Sequence, residues 1–216
     1  MNRRFDAAGR ALSEPGNTLV AMLADGPFRE RLCAIRASLG ATEAGRTAIA
    51  WLPESSWHMT LFDGVLLNEE RAEYWPGGLP RGPDRAEVTL NHMRAAIRQH
   101  PIPKPPYRMR TTCLGGFETG GFGIRFEEAD TAERRRLRAW RDAIAAAAGL
   151  SHRPGHRTYV FHLTLGYMIA WPDQAAAEAF DRAAARELAS PLPPPDFLPG
   201  RLCVFADMTR FDPVDA

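Results

Sequence analysis

The sequence has almost no lysine and almost no net charge. Lys104 is the only lysine among 27 basic residues, and 26 acidic residues leave a formal net charge of +1. Such a balance creates no long-range field that would hold a nucleic-acid duplex or an acidic bilayer. We therefore expect neither duplex DNA nor a membrane as a partner, and we infer no obligate protein partner.

Cysteines are few, and no long hydrophobic run is present. Cys33, Cys113 and Cys203 lie far apart and form no CxxC pair, which argues against both a disulfide framework and a zinc knuckle. The N-terminal stretch lacks the apolar core of a secretory signal. The most apolar segment, residues 159–171, is interrupted by polar residues and too short to span a bilayer. These absences together predict a cytoplasmic protein.

Short β-like runs alternate with amphipathic helical segments along the chain. Strands are predicted at 17–23, 47–52, 57–67, 107–114, 122–127, 158–169 and 201–208. Helices are predicted at 27–40, 68–74, 84–100, 130–149 and 172–188, two of them opened by the capping boxes Asp84/Glu87 and Asp130/Glu133. Strands mixed with helices, some joined by hairpins such as the one around GGFETGG, predict an α+β fold with a mainly antiparallel sheet in each half.

A proline-rich stretch, PIPKPP at residues 101–106, predicts a hinge near the middle of the chain. We expect residues 1–216 to form one bilobal domain, with approximate lobes at 17–100 and 107–210. Flanking helices would cover each sheet, which leaves a cleft between the lobes as the place for a functional site.

One short pattern occurs twice, as HMTL at residues 58–61 and HLTL at residues 162–165. From composition alone, HxTL is expected roughly 0.03 times in a chain like this, so two copies are not an accident of composition. Side chains alternate along a strand, so His58 and Thr60 share one face, as do His162 and Thr164. If these faces meet, two imidazoles and two hydroxyls line one groove.

Such a groove is suited to phosphodiester chemistry. A neutral imidazole takes a proton from the attacking hydroxyl or water, and a protonated imidazole gives one to the leaving oxygen. The threonine hydroxyls donate hydrogen bonds to the non-bridging phosphate oxygens, where charge grows in the transition state. Because this chemistry needs neither a metal nor another cofactor, the sequence predicts none.

The paired HxTL segments resemble those of the 2H phosphoesterase superfamily, which includes bacterial 2′-5′ RNA ligase-like proteins and cyclic nucleotide phosphodiesterases. The resemblance implies a pseudo-symmetric bilobal fold and metal-independent action on 2′,3′-cyclic phosphate or 2′-5′ phosphodiester bonds of nucleotides or RNA ends. It also implies that His58 and His162 are catalytic and that Thr60 and Thr164 bind phosphate. The surrounding sequence, SSWHMTLFDGV, resembles a little-studied bacterial branch.

Three further residues are candidates for substrate binding. Phe62 lies an even number of residues after His58, so it would share the face of His58 and stack on a base in the groove, unless a bulge intervenes. Tyr167 has the opposite parity in the second strand, so we expect it in the core unless the strand bulges there. Arg108 and Arg110 follow the proline run and are candidates for holding a terminal phosphate.

Three other interpretations remain open or rank lower. His152 and His156 have helical ligand spacing, but proline and glycine lie between them and no cysteine or acid completes a zinc set. A non-catalytic module that retains a nucleotide or RNA end in the same cleft is the alternative to an enzyme. A purely structural α+β domain would bind no nucleotide.

Overall fold

The structure is a computed structural model that describes residues 4–117 and 120–215. The helices are α1 (Pro27–Gly40), α2 (Glu43–Thr47), α3 (Arg85–Gln99), α4 (Thr131–Ala147) and α5 (Gln174–Glu187). The strands are β1 (Gly16–Met22), β2 (Ile49–Trp51), β3 (His58–Leu66), β4 (Met109–Gly116), β5 (Gly121–Glu128), β6 (His162–Met168), β7 (Arg201–Phe205) and β8 (Asp212–Pro213). The predicted α+β fold is confirmed. The tip of the predicted hairpin loop, residues 118–119, lies outside the described residues.

Helix α1 shows how local sequence sets an element. Gly26 precedes it with φ 141°, a backbone conformation that favours glycine, and Pro27 occupies the first turn, where its missing N–H costs no hydrogen bond. One stripe of the helix is buried in the core: Phe28, Leu32, Ile35 and Leu39. Their spacing is that of a single helical face, so burial follows directly from the pattern.

Only one of the two predicted capping boxes has its N-cap hydrogen bond. Asp130 adopts an extended conformation before α4, and its carboxylate accepts from the Glu133 amide at 2.9 Å. Asp84 instead has φ −86° and ψ 14°, and it makes no side-chain cap bond to α3. The N-cap interaction needs an extended backbone, so this turn-like geometry removes it.

The eight strands form two four-stranded sheets whose orders are β3-β1-β7-β8 and β2-β6-β5-β4. Every pairing between named strands is antiparallel. β1 lies between two neighbours and is buried along nearly its whole length, which explains the apolar run at 19–22.

Each sheet takes strands from both halves of the chain. β2, from the first half, pairs with β6, while β7 and β8, from the second half, return to pair beside β1. Each sheet therefore contains strands from both expected lobes, 17–100 and 107–210, which lie on either side of the 101–106 segment. A consequence is that the two motif strands, β3 and β6, contact each other where the sheets meet.

None of the helices in the described part of the chain has the length and apolar character needed to cross a bilayer.

Candidate active site

Both HxTL motifs open a strand and present their polar side chains to the same side. β3 begins at His58 and β6 begins at His162. Both histidines and both motif threonines are partly exposed. The apolar residues that alternate with them are fully buried: Trp57, Met59 and Leu61 in the first segment, and Phe161, Leu163 and Leu165 in the second. The core therefore anchors each motif from behind.

Each imidazole is held by a backbone carbonyl two residues before it. His58 Nδ1 lies 2.7 Å from the Ser56 carbonyl oxygen, and His162 Nδ1 lies 2.9 Å from the Val160 carbonyl oxygen. A carbonyl only accepts, so we assign the proton of each neutral ring to Nδ1. That leaves Nε2 of both rings as the basic atom, which can take up a proton or, once protonated, give one away.

A β-bulge follows the threonine in both motifs. In the β1–β3 pairing, Leu61 is the unpaired residue between Thr60 and Phe62. In the β5–β6 pairing, Leu165 occupies the same position after Thr164. A bulge inserts one residue, so it reverses the in–out parity of everything that follows. The two motifs are therefore alike in backbone geometry as well as in sequence.

A glycine makes room for the second bulge. A Cβ atom on Gly123 would lie only 2.0 Å from the Leu163 carbonyl oxygen on the neighbouring strand. Only glycine permits so close an approach of two backbones.

The bulges bring two further residues to equivalent positions, each five residues after the motif histidine. On β3 this residue is Asp63, which is exposed. On β6 it is Tyr167, whose ring stacks on Phe5 with centroids 5.4 Å apart and whose hydroxyl accepts a hydrogen bond from Arg4 at 2.8 Å. Tyr167 is buried in the hydrophobic core, so its predicted core position is confirmed although the strand bulges at Leu165 before it.

The two histidines share one electrostatic environment. Burial is the main cause that lowers the pKa of His58, to about 4, and the nearby charge of His162 lowers it further. Burial also lowers the pKa of His162. Asp63 raises and Arg4 lowers the pKa of both rings. The imidazoles therefore lie close enough to act on each other, although they come from strands 104 residues apart in the sequence.

An aromatic ring flanks each imidazole. The Phe211 ring, just before β8, lies 4.2 Å from the His58 ring, and the Phe117 ring, just after β4, lies 4.8 Å from the His162 ring. Both phenylalanines are partly exposed. Rings in this position can offer a flat apolar surface to a planar group bound beside the histidines.

A buried arginine, a half-buried arginine and a tyrosine hold the backbone of β3. Arg141, on α4, donates to the Leu61 carbonyl oxygen at the bulge. Arg153 donates to the carbonyl oxygens of Asp63 and Gly64, both at 2.6 Å. The Tyr159 hydroxyl donates to the Thr60 carbonyl oxygen at 3.2 Å, and burial raises the pKa of this phenol, which keeps it a donor.

Phe62 does not lie at the surface of the groove. It is 2% exposed, and its ring packs near the Arg141 guanidinium, 5.5 Å away. The cause is the bulge at Leu61, which turns Phe62 inward and places Asp63 outward instead.

Arg108 and Arg110 are paired with carboxylates. Arg108 lies 2.8 Å from Asp130 at the start of α4, and Arg110 lies 2.9 Å from Glu127 across the β4–β5 hairpin. Both guanidiniums are half exposed or more. Neither is free to serve a phosphate without giving up an existing ion pair.

The other candidate pair of histidines does not form a ligand set. His156 Nε2 lies 2.8 Å from Asp142, while His152 is exposed. Across residues 4–117 and 120–215, no three histidine, cysteine, aspartate or glutamate side chains come together as a metal cluster would require.

Several residues around the histidines were not singled out from the sequence. Arg4, Asp63, Phe117 and Phe211 are the main ones. The repeat points to Asp63 once both bulges are recognised, because Asp63 and Tyr167 each lie five residues after their motif histidine and occupy equivalent positions. Nothing local marks Arg4 or Phe211, which reach the site only through the return of the chain termini to it.

Comparison with known proteins identifies the family. A family model for a 2H phosphodiesterase domain, described as a domain of unknown function (DUF1868), matches residues 4–117. The chain belongs to this 2H family. The match includes the first motif, and the superfamily predicted from the paired HxTL segments is confirmed. Among curated proteins, none matches the chain.

Solved structures extend the likeness over the second motif. A crystal structure of ATU0111, a conserved protein of unknown function from Agrobacterium tumefaciens, is 29% identical, covers 99% of this chain and 90% of its own, and superposes with a TM-score of 0.85. Escherichia coli LigT complexed with NADP+ is 16% identical over 94% of this chain and 96% of its own, with a TM-score of 0.48. Usb1 of Kluyveromyces marxianus with uridine monophosphate is 11% identical over 94% and 99%, with a TM-score of 0.47. The fold is therefore shared with ATU0111 over essentially the whole chain.

Proposed function

We propose that this 2H protein is a metal-independent phosphoesterase that acts on 2′,3′-cyclic phosphate or 2′-5′ phosphodiester bonds of nucleotides or RNA ends. The observation that carries the proposal is that His58 and His162 lie on contacting strands, with His162 acting on the pKa of His58, and that each ring has Nδ1 held by a carbonyl and Nε2 left as the basic atom. Membership of the 2H family supports phosphoester chemistry in general.

The proposed mechanism uses the two imidazoles as base and acid. Nε2 of one neutral histidine takes the proton of the attacking water or hydroxyl as its oxygen bonds to phosphorus. The protonated Nε2 of the other gives its proton to the leaving oxygen as the P–O bond breaks. The hydroxyls of Thr60 and Thr164 donate to the non-bridging oxygens and stabilise the added charge. The pseudo-symmetry of the motifs lets either histidine take either role, depending on how substrate binds.

Protonation of the acid is coupled to substrate binding in this mechanism. Burial keeps both imidazoles neutral near pH 7 in the free protein. An anionic phosphodiester beside an imidazole favours its charged form, so substrate raises the pKa that burial has lowered. Asp63 acts in the same direction on both rings. The expected result is a bell-shaped pH profile that belongs to the pair.

The surroundings favour a small substrate over a long duplex. Phe117 and Phe211 are positioned to stack on a base or sugar next to the phosphate. A formal net charge of +1 provides little attraction for an extended polyanion. A nucleotide or short RNA end meets both conditions, and a reducing, cytoplasmic location would match the three free cysteines.

Phosphorus NMR tests the proposal directly. Nucleoside 2′,3′-cyclic phosphates and 2′-5′ dinucleotides would be incubated with wild type, the His58→Ala/His162→Ala double variant and the exposed control His152→Ala. We expect new monoester resonances with wild type and the control only, unchanged by EDTA. Loss of turnover in EDTA with recovery in zinc would contradict the metal-independent mechanism. No turnover of any substrate would contradict the enzyme.

A non-catalytic binding module is the second candidate. The lowered pKa values favour it, because two neutral imidazoles do not supply the acid that turnover requires. Calorimetry on wild type and the two single alanine variants separates the candidates. An enzyme loses rate by orders of magnitude while much of its affinity remains; a binding module has affinity and no rate to lose.

A further inference from the structure

A small cavity beside Asp63 is lined by the buried Arg141 and the half-buried Arg153. This cavity, named here the arginine cavity, has a volume of about 110 Å³ and is lined by Phe62, Asp63, Arg141, Arg153, His156 and Tyr159, among others. Its volume is several times what one water molecule requires. A wider groove of about 850 Å³ shares Arg141, His156 and Tyr159 with it and opens it to solvent.

Both arginines have a hydrogen-bond donor without a partner in the described structure. Arg141 is 2% exposed, and its Nε is buried with no acceptor in residues 4–117 and 120–215. The same holds for Nε of Arg153. A buried N–H of a charged group that has no protein acceptor carries a desolvation penalty, so each favours an acceptor that is not part of the chain.

The positive charge of the arginine cavity is only partly compensated. The nearest carboxylate to Arg141 is Asp63, 3.9 Å away with its side chain 51% exposed. Arg153 has only backbone carbonyl oxygens as hydrogen-bond acceptors among the described residues: those of Asp63, Gly64 and Tyr74. Burial lowers the pKa of both guanidiniums, and the charge of Arg141 adds to this effect on Arg153. A buried and a half-buried guanidinium whose shared carboxylate, Asp63, is half exposed favour a bound anion.

The cavity adjoins the proposed reaction centre through two residues. Asp63 acts electrostatically on both histidines and on both arginines. Tyr159 has its ring 3.7 Å from the Arg141 guanidinium and 6.1 Å from the His162 ring, and its hydroxyl bonds to Thr60. A ligand whose one phosphate lies between the histidines can therefore direct a second one to the arginines.

We infer that Arg141 and Arg153 form a subsite for a second phosphate of the substrate, a terminal phosphate monoester located away from the bond that is broken. This inference rests on the proposed function. The guanidinium N–H groups donate to the phosphate oxygens, and charge-assisted bonds of this kind are the strong ones. The substrate class is then a nucleotide or short RNA end that carries a terminal phosphate in addition to its 2′,3′-cyclic or 2′-5′ group.

A matched pair of substrates tests the subsite. Adenosine 2′,3′-cyclic phosphate would be compared with the same compound bearing a 5′-phosphate, by kcat/KM on wild type, Arg153→Gln, Arg153→Lys and Arg98→Gln. We expect the 5′-phosphate to raise kcat/KM about tenfold in wild type and in the Arg98→Gln control, which lies exposed on α3. The ratio should fall to about one in Arg153→Gln and stay above one in Arg153→Lys, which keeps the charge.

The ratio separates loss of the subsite from damage to β3, which Arg153 also holds. Disturbed backbone lowers kcat/KM for both substrates together and leaves their ratio unchanged, which would count against the subsite. Equal kcat/KM for the two substrates in wild type would overturn the inference outright.

A titration independent of turnover completes the test. Inorganic phosphate would be titrated by calorimetry into the His58→Ala/His162→Ala protein, with and without Arg153→Gln. We expect saturable binding that Arg153→Gln abolishes. If neither substrate is turned over, the proposed function fails, and phosphate binding that depends on Arg153 still supports the anion site, whereas its absence overturns it. Phosphate binding combined with a substrate ratio of one would identify free anion as the ligand and overturn the substrate assignment.

Discussion

β3 is the edge strand of its sheet, whereas β6 lies between β2 and β5. Both strands carry the same HxTL motif, the same carbonyl contact to the imidazole and the same bulge after the threonine. Their support differs. Hydrogen bonds to two neighbours hold β6, while the open edge of β3 is held by side chains of Arg141, Arg153 and Tyr159.

The difference shows how one motif can be built in two structural settings. An edge strand with a bulge has carbonyl oxygens that no strand satisfies, and guanidinium groups can bond several of them at once. The arginines beside β3 bond its backbone, whereas beside β6 Arg4 bonds the Tyr167 hydroxyl and Arg125 of β5 pairs with His162. The residue five positions after the histidine differs as well, an acid on β3 and a phenol on β6. The site is therefore symmetric in its reacting groups and asymmetric in its electrostatics.

Removing either imidazole is the strongest test of the symmetry. We expect His58→Ala and His162→Ala each to lower kcat by about 10²- to 10⁴-fold, because each supplies a proton transfer that the other cannot replace. The double variant should be little worse than either single one, since the two act as a unit. Steady-state kinetics on a 2′,3′-cyclic nucleotide measures this, with His152→Ala as the exposed control. A variant that keeps most of its rate would mean that only one motif is catalytic.

The threonines test the same symmetry at the phosphate oxygens. Thr60→Val and Thr164→Val keep the shape and remove the donor, and we expect each to lower kcat by about 10²-fold, with a smaller effect on KM. Thr47→Val, on α2, is the control. Effects of similar size would show that both strands contact the phosphate. A loss confined to one threonine would indicate that substrate lies against one strand only.

The sequence was sufficient to predict the fold class and the pairing of the motifs, because both depend on local periodicity. The stripe Phe28, Leu32, Ile35 and Leu39 and the alternation around His58 needed no knowledge of distant residues. The pairing of β2 with β6 and of β7 with β1 could not be predicted, because it depends on contacts between residues far apart in the sequence. Simple alternation along β3 predicts Phe62 in the groove. Alternation ends at a bulge, however, and a bulge has no reliable sequence signature when the unpaired residue is an ordinary leucine.

Stability at mild acid pH should reveal the buried imidazoles. Burial places the folded-state pKa of His58 at about 4, whereas a solvated histidine has a pKa of about 6.5, so between these values the unfolded chain binds more protons. The free energy of unfolding must then fall as pH falls through this window, by up to about 3 kcal/mol for this residue.

Urea unfolding at closely spaced pH values from 7 to 5 measures that fall before carboxylates dominate. His58→Gln should flatten the curve, and so should His162→Gln, whose pKa is lowered in the same direction. His152→Gln, which removes an exposed ring, should leave the slope as in wild type. A slope that neither motif variant changes would mean that the two rings are as well solvated as free histidine.

Of these substitutions, Asp63→Asn should have the smallest effect on the rate. It tests whether Asp63 acts on the histidines of both β3 and β6. Its carboxylate raises the pKa of both His58 and His162, so its removal lowers both, and the acid and alkaline limbs of the pH–rate profile should move together toward lower pH. We expect a displacement of less than about one pH unit, because the carboxylate is half exposed and screened by solvent. Proton NMR titration of the two imidazole C–H signals measures the same change without turnover. Asp142→Asn, whose carboxylate pairs with His156, is the matched control and should move neither limb. If one limb moved and the other stayed, Asp63 would be coupled to a single histidine. The limb that moved would then show whether that histidine acts as the base or as the acid.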